Sequence, residues 1–320
     1  MNDVGINASD LARARQLNII LRVLPRFHTD RRWNACLVNK LLTLHGTMPG
    51  LRRQRSKVSV MSVPGTASSI RLTHPRRSPR ALLLHFHGGA WVMGSARLED
   101  RMAAMIANDT GLVVAAVDFP NAVHDDLERT LRDCIAVTEW VVKHLATFGV
   151  GSILMSGESS GAHLALESLL HLRSMGIHDV VCGFYAVCGA FNLEGSDSLR
   201  DSTGSTLLID GPSAFRNLQR LSPSLPFHLR RGPLHADLRE LPPALFIAGQ
   251  LDPIVDDSTE MHAKWLKANG NARLAVIPEG AHGFNRLPTR LASKTNAFGR
   301  RWLMAQSTGA CGDETFDSAS

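Results

Sequence analysis

The chain has little with which to staple itself together. Its five cysteines (Cys36, Cys134, Cys182, Cys188, Cys311) are odd in number and scattered, with no C-x-x-C pair, which argues against a disulfide framework or a zinc site. A reducing compartment is implied, so a cytoplasmic location is expected. No apolar run reaches the roughly 18 residues that cross a bilayer, and no charged-then-apolar leader opens the chain. Neither integral membrane association nor a cleaved signal is predicted. Internal repeats are lacking too. Aromatic residues make up 6% of the chain and do not interleave with its basic clusters, so nucleic acid is not an expected partner.

What is present is a chain of 320 residues, 44% apolar, long enough for one large α/β domain that need not divide. The formal charge of +6 is unevenly spread. Residues 1–80 hold 15 Lys and Arg against Asp3, Asp10 and Asp30, a local +12 that leaves the remainder at −6. Clusters such as Arg52-Arg53-Gln54-Arg55-Ser56-Lys57 would suit an acidic partner, a carrier protein or a membrane surface. The plainer reading, a solvated Arg-rich face, carries more weight because no aromatic pattern accompanies the charge.

Ser9 is a candidate N-cap for a helix through Leu11, Leu17, Ile19, Ile20 and Leu24 that Pro25 stops. Asp30 is a candidate cap for a second helix, with Trp33, Leu37, Leu41 and Leu42 on one face and Gly46 just past its end. Strands are expected over 58–63 and 69–72, joined by Pro64-Gly65. From residue 81 strands and helices take turns: strand 81–86, helix 98–107, strand 112–117, helix 127–145, strand 153–155, then strand 180–187. That alternation predicts a mostly parallel sheet covered by helices on both faces. Between about 189 and 241 the periodicity fades into Gly, Ser, Pro and Arg, and an insertion of that length is usually functional. The small, polar tail over 306–320 is expected to be disordered.

The chemistry gathers where strands end. Gly157-Glu158-Ser159-Ser160-Gly161 follows the apolar run Ile153-Leu154-Met155 and opens a helical stretch at Ala162. It reads as a sharp strand-to-helix turn that lifts the Ser159 hydroxyl above the sheet and puts the Ser160 N–H at a helix N-terminus. The flanking glycines are needed because a Cβ there would strike a neighbour. An ordinary glycine-rich turn is the blander alternative.

Upstream, an apolar strand runs into His87-Gly88-Gly89-Ala90-Trp91. There the amides of Gly88 and Gly89, with Ala90 as a further candidate, would complete an oxyanion hole begun by Ser160. Downstream, Asp252 in Gln250-Leu251-Asp252-Pro253 and His282 in Gly280-Ala281-His282-Gly283 each follow an apolar strand. Nucleophile, acid and base thus run in the chain order Ser159, Asp252, His282. Asp256 and Asp257 are rival acids, against which Pro253 argues by starting a helix that carries them away. His85 and His87 form an H-x-H pair, but without a third ligand nearby no metal is expected. His87 is read as a brace for the glycine turn, and Glu158 as pointing away from the reaction centre. Trp91 belongs either to the core or to the wall of a substrate pocket.

Together these segments resemble the hormone-sensitive-lipase-like branch of the α/β-hydrolases, the fold-3 esterases, from about residue 81 to beyond His282. His87-Gly88-Gly89-Ala90-Trp91 is similar to the HGGG-W element of that branch and Gly157 to Gly161 to its GDSAG element. Asp252-Pro253-Ile254-Val255-Asp256-Asp257 is similar to its DP-x-x-D-[DE] loop, and His282-Gly283-Phe284 to its HGF element. Three departures stand out: Ala90 for a third Gly, Glu158-Ser159-Ser160 for Asp-Ser-Ala, and Asp118-Phe119-Pro120-Asn121-Ala122-Val123-His124 for DYRLAPE. An alanine forced to positive φ would cost about 1 kcal/mol.

The resemblance implies an α/β-hydrolase fold, with residues 1–50 as an N-terminal helical cap segment and 51–305 as a catalytic domain. A second cap segment would be inserted at about 189–241. It also implies a serine esterase for small or medium acyl esters, working through an acyl-enzyme on Ser159 with no cofactor. A lactonase, amidase, thioesterase or acyltransferase would use the same groups. A ligand-binding pseudo-enzyme would be expected to have lost His282. Beyond a small-molecule ester, a homodimer stays open as a partner.

Overall fold

A computed structural model describes residues 2–47 and 58–308. The apolar runs form β1 (Val58–Ser62), β2 (Ser69–Thr73), β3 (Leu82–Phe86), β4 (Val113–Asp118), β5 (Ile153–Glu158), β6 (Val181–Val187), β7 (Ala244–Gly249) and β8 (Ala272–Ile277). They make one sheet in the order β1-β2-β4-β3-β5-β6-β7-β8. The β1–β2 and β2–β4 pairs are antiparallel; from β4 to β8 every pair is parallel. Every residue of β3 and of β7 is buried, as strands covered on both faces require.

The helices are α1 (Ala8–Leu21), α2 (Arg32–Thr47), α3 (Asp100–Thr110), α4 (Leu127–Lys143), α5 (Ser160–Ser174), α6 (Asp197–Arg200), α7 (Gly211–Leu221), α8 (Val255–Asn269) and α9 (Arg290–Thr308). Alternation along β3 splits the core in two. Leu82, Leu84 and Phe86 join Leu131, Leu164, Leu169 and Trp265 in one cluster, while Leu83 joins Ile106, Phe298, Trp302 and Leu303 in the other. Gly111 in left-handed backbone closes α3, and its N–H returns to Ala107 O.

Several local expectations are corrected. The N-cap of α1 is Asn7, not Ser9: Asn7 accepts from the Asp10 N–H while the Asp10 carboxylate accepts from the Asn7 N–H, a reciprocal pair. Ser9 donates its hydroxyl to Asn7 Oδ1 instead. Asp30 does not serve a helix end; its carboxylate takes hydrogen bonds from Ser213 and Arg216 of α7. Gly46 lies inside α2, and Trp33 and Leu37 are exposed. The side chains of Leu41 and Leu42, the Arg52 to Lys57 cluster and residues 309–320 lie outside the described residues, whereas 306–308 are still helical in α9.

Between β6 and β7 the chain passes through α6, α7 and short 3-10 turns. This stretch is tied to the α1–α2 connection: Phe27 N–H donates to Leu208 O (2.9 Å), Asp210 N–H to Phe27 O (3.1 Å), and Thr29 N–H to Ser213 Oγ (2.8 Å). The two segments that lack a strand thus hold each other.

Candidate active site

Because β3, β5, β7 and β8 run parallel, their carboxyl ends lie along one edge of the sheet, and the loops leaving them carry the candidate residues. Ser159 stands between β5 and α5 with φ 51° and ψ −123°, a left-handed conformation for a residue with a side chain. The turn leaves no room for side chains around it. A Cβ on Gly157 would fall 2.3 Å from Gly161 O, and one on Gly161 would fall 2.2 Å from Phe86 O.

The structure brings the three distant residues together. Ser159 Oγ is 2.9 Å from His282 Nε2, and His282 Nδ1 is 2.9 and 3.0 Å from the two Asp252 carboxylate oxygens. Asp252 Oδ1 also accepts from Ile254 N–H at 2.9 Å, and its side chain is fully buried. With Nδ1–H donating to the carboxylate, the Nε2 lone pair faces the serine hydroxyl. Burial would lower the His282 pKa, but the Asp252 charge and hydrogen bond outweigh it and the net shift is upward. The rival acids are occupied elsewhere: Asp256 accepts from Ser198 N–H, and Asp257 from the N–H groups of Phe191 and Asn192. Burial pushes Asp257 up to about 7.

The glycine turn after β3 carries the strain foreseen for Ala90, which has φ 53°, and Trp91 follows at φ 64°. The amide N–H groups of Gly88, Gly89, Ala90 and Ser160 donate to no protein acceptor among the described residues. They are available to a negatively charged oxygen. His87 stacks on Phe119 (centroids 4.1 Å apart, planes at 9°) and holds Nδ1 2.8 Å from Gly88 O, so it does brace this turn. Its H-x-H neighbour faces other groups: His85 Nδ1 lies 2.9 Å from Ser156 Oγ and Nε2 3.6 Å from Glu99. Trp91 is 4% exposed and donates its indole N–H to His163 Nδ1 at 3.2 Å, which gives it a core position.

Glu158 turns away from the serine hydroxyl, as expected, and accepts from Asn285 Nδ2 (2.8 Å) and Arg286 Nε (2.7 Å). The other edge of Arg286 meets Glu99. Burial would raise the Glu99 carboxyl, yet Arg286 and His85 bring it down to about 2. Sequence reasoning missed this link between the His282 loop and the Ser159 turn, because Glu99 and Arg286 have no local signature and meet only in the fold.

It also missed Cys188, whose thiol sits at Asp252 and is raised well above its ordinary value, by burial first and then by that carboxylate. Cys188, Asp252 and His282 are the one cluster among the described residues whose ligand atoms lie within 4.8 Å of one another. A metal there would have to displace both imidazole contacts and strip the proton from a thiol that burial keeps neutral, so the donor set fits a hydrogen-bonded array better than a cation site.

A sequence profile of the alpha/beta hydrolase fold matches residues 83–286. An acetyl esterase of Salmonella typhi is 26% identical over 266 residues, covering 78% of this chain and 80% of its own. Among solved structures, a bacterial heroin esterase superposes with a TM-score of 0.80 at 22% identity, covering 94% of this chain and 98% of that one. An esterase from the bacterial hormone-sensitive lipase family superposes with a TM-score of 0.74 at 22% identity, covering 94% and 99%.

Proposed function

This chain belongs to the α/β-hydrolase fold family, and from that premise we propose that it is a serine carboxylic-ester hydrolase for small or medium acyl esters, acetyl esters among them. The observation that carries the reading is the unbroken line from the Ser159 hydroxyl through the His282 ring to the Asp252 carboxylate, beside amides with free N–H groups.

In this reading Ser159 Oγ attacks the ester carbonyl carbon while His282 Nε2 takes the hydroxyl proton. Asp252 fixes the ring tautomer and stabilises the imidazolium. The carbonyl oxygen, now negative, sits against the N–H groups of Gly88, Gly89 and Ser160, with Ala90 as a further donor; each donor in such a hole is worth about 3–4 kcal/mol. The tetrahedral intermediate collapses as the imidazolium protonates the leaving alkoxide, and water then releases the acyl group by the same steps in reverse order of partners. Every proton taken from serine or water goes to an alcohol or back to serine, so no cofactor is required.

Residues 1–50 and about 189–241 act as cap segments that shape the acyl and alcohol pockets. A cytoplasmic location fits the cysteines, since Cys36, Cys134 and Cys188 form no disulfide. Among the described residues no helix is long and apolar enough to cross a membrane. A homodimer and an acidic carrier for the basic N-terminal region are compatible with this reading.

The test is turnover of p-nitrophenyl esters from acetate to decanoate, together with an organophosphonate label. Hydrolysis with a short-chain optimum and one adduct per chain on Ser159 are expected. No turnover across the series and no adduct would reject the proposal.

A further inference from the structure

Ala90 and Trp91 are consecutive residues with side chains in left-handed backbone, a state that persists only where the surroundings over-determine it. The turn supplies part of that restraint itself. Gly89 O accepts from Val92 N–H (3.1 Å) and Met93 N–H (3.0 Å), which fixes the peptide plane bearing the Ala90 N–H. The next plane is pinned from outside the sheet: Asn217 Nδ2, on α7, donates to Ala90 O at 3.0 Å. Ala90 therefore sits between two immobilised planes, and its φ and ψ have little freedom left.

The orientation of Asn217 is not ambiguous. Arg220 Nη2 donates to Asn217 Oδ1 at 2.7 Å, and because a guanidinium only donates, the amide nitrogen must face the Ala90 carbonyl. Arg220 is held in turn by Asp125, whose other carboxylate oxygen takes Arg32 of α2. A second asparagine grips the far end of the turn. Asn39, on α2, donates Nδ2 to Val92 O (3.0 Å) and accepts the Gly94 N–H on Oδ1 (3.1 Å). A carbonyl cannot donate and an N–H cannot accept, so this orientation is fixed as well. Asn217 is 1% exposed, which shields its single bond to Ala90 from exchange with water.

We propose that Asn217 and Asn39 are positioning residues for the oxyanion hole, through which the N-terminal helices and the β6–β7 insertion hold the strained turn in its working shape. The proposal rests on the serine-esterase reading above. Neither side chain is required to touch substrate. Each acts on peptide planes whose N–H groups must already point at the oxyanion when charge develops there. The segments that border the pocket would then also set the strength of the hole, so changes made there for selectivity would alter turnover.

The test uses the full chain. Asn217→Asp keeps the volume, keeps the acceptor toward Arg220 and replaces the donor toward Ala90 O by an oxygen. An interaction expressed only in the transition state lowers kcat and kcat/KM together, so a loss of about tenfold in both is expected with KM for p-nitrophenyl acetate within about twofold. A trifluoromethyl ketone, which forms a hemiketal oxyanion on Ser159, should bind more weakly by the same factor. Asn39→Asp keeps the bond from Gly94 N–H and loses the one to Val92 O, so about a threefold change with the same pattern is expected.

Should Asn217→Asp fail to fold, Asp125→Asn leaves Asn217 in place while loosening Arg220, and about a threefold parallel loss in kcat and ketone affinity is expected there too. Variants that melt earlier yet keep kcat per folded molecule and ketone affinity would overturn the proposal. A wild-type protein without turnover or any Ser159 adduct would instead reject the esterase reading, and this inference with it. That outcome is distinguishable because it appears before any substitution is made.

Discussion

Two regions of this molecule meet at the glycine turn, and they are packed differently. On the sheet side β3 and β7 are buried at every position, and Ser159, Asp252 and His282 leave strand ends locked between two cores. On the other side, seven large apolar side chains between Ile19 and Leu37 are exposed, half of the fourteen such residues among those described. Ser159 and Asp252 leave strands buried along almost their whole length, and His282 follows the buried end of β8 at Ile277. The N-terminal helices bury a few apolar side chains such as Ala14, Leu21 and Ala35, add polar contacts such as Asn18 Nδ2 to Glu279 O (3.0 Å), and leave much of their remaining apolar surface exposed. A fold divided this way can vary what it accepts without disturbing how it reacts.

The sharpest test of the inner region is Ser159→Ala. Loss of the nucleophile should lower kcat on p-nitrophenyl acetate by about 10⁵ to 10⁶ and abolish the organophosphonate adduct seen by mass spectrometry. Asp252→Asn should follow with a loss of about 10⁴ in kcat, since an amide at that position no longer enforces the Nδ1–H tautomer. Retention of more than a tenth of the activity would point to another acid.

Beneath the turn, burial raises Glu167 to about 7 and lowers His163, 3.9 Å away, to about 3. A carboxyl with a raised folded-state pKa contributes its stability below the unfolded value and loses it as pH climbs through the folded value. The Glu167 contribution should therefore fall between about pH 4 and 7, a window in which Asp257 acts in the same sense and the lowered His163 in the opposite one. Glu167→Gln should gain roughly 3 kcal/mol in denaturant unfolding at pH 8 and almost nothing at pH 4.

The His282 shift has the same sign with another consequence. Its raised pKa favours the imidazolium in the folded protein, a stabilisation present below the ordinary imidazole value and lost as pH rises through the raised one. Catalysis needs the neutral ring, so the acidic limb of kcat/KM against pH should have its midpoint above about 6.5. A midpoint at or below that value would contradict the Asp252 contact. The smallest effect belongs to the outer region: Val23→Ser, at a position 81% exposed, should change unfolding free energy by no more than about 0.5 kcal/mol.

Sequence was most legible where one residue type answers one local demand. The strands from residue 81 onward, the turn at Ser159 and the loops bearing Asp252 and His282 lie where apolar runs and flanking glycines predict them. Even the departure at Ala90 was readable as strain, because only the backbone had to be considered. Caps were less legible, since Asn7, Ser9 and Asp10 all satisfy the local rule and hydrogen-bond geometry alone selects Asn7. Least legible were the supports: Glu99 with Arg286, Cys188 with Asp252, and Asn217 with Ala90 are separated by 187, 64 and 127 positions, and nothing near any of them in the chain announces its partner.

The five tryptophans sample this division of the molecule unequally. Trp91, Trp265 and Trp302 are 7% exposed or less, whereas Trp33 on α2 is 63% exposed. A collisional quencher such as iodide will therefore extinguish the emission of Trp33 first, and its blue or red drift during turnover reports on the N-terminal helices without any attached dye.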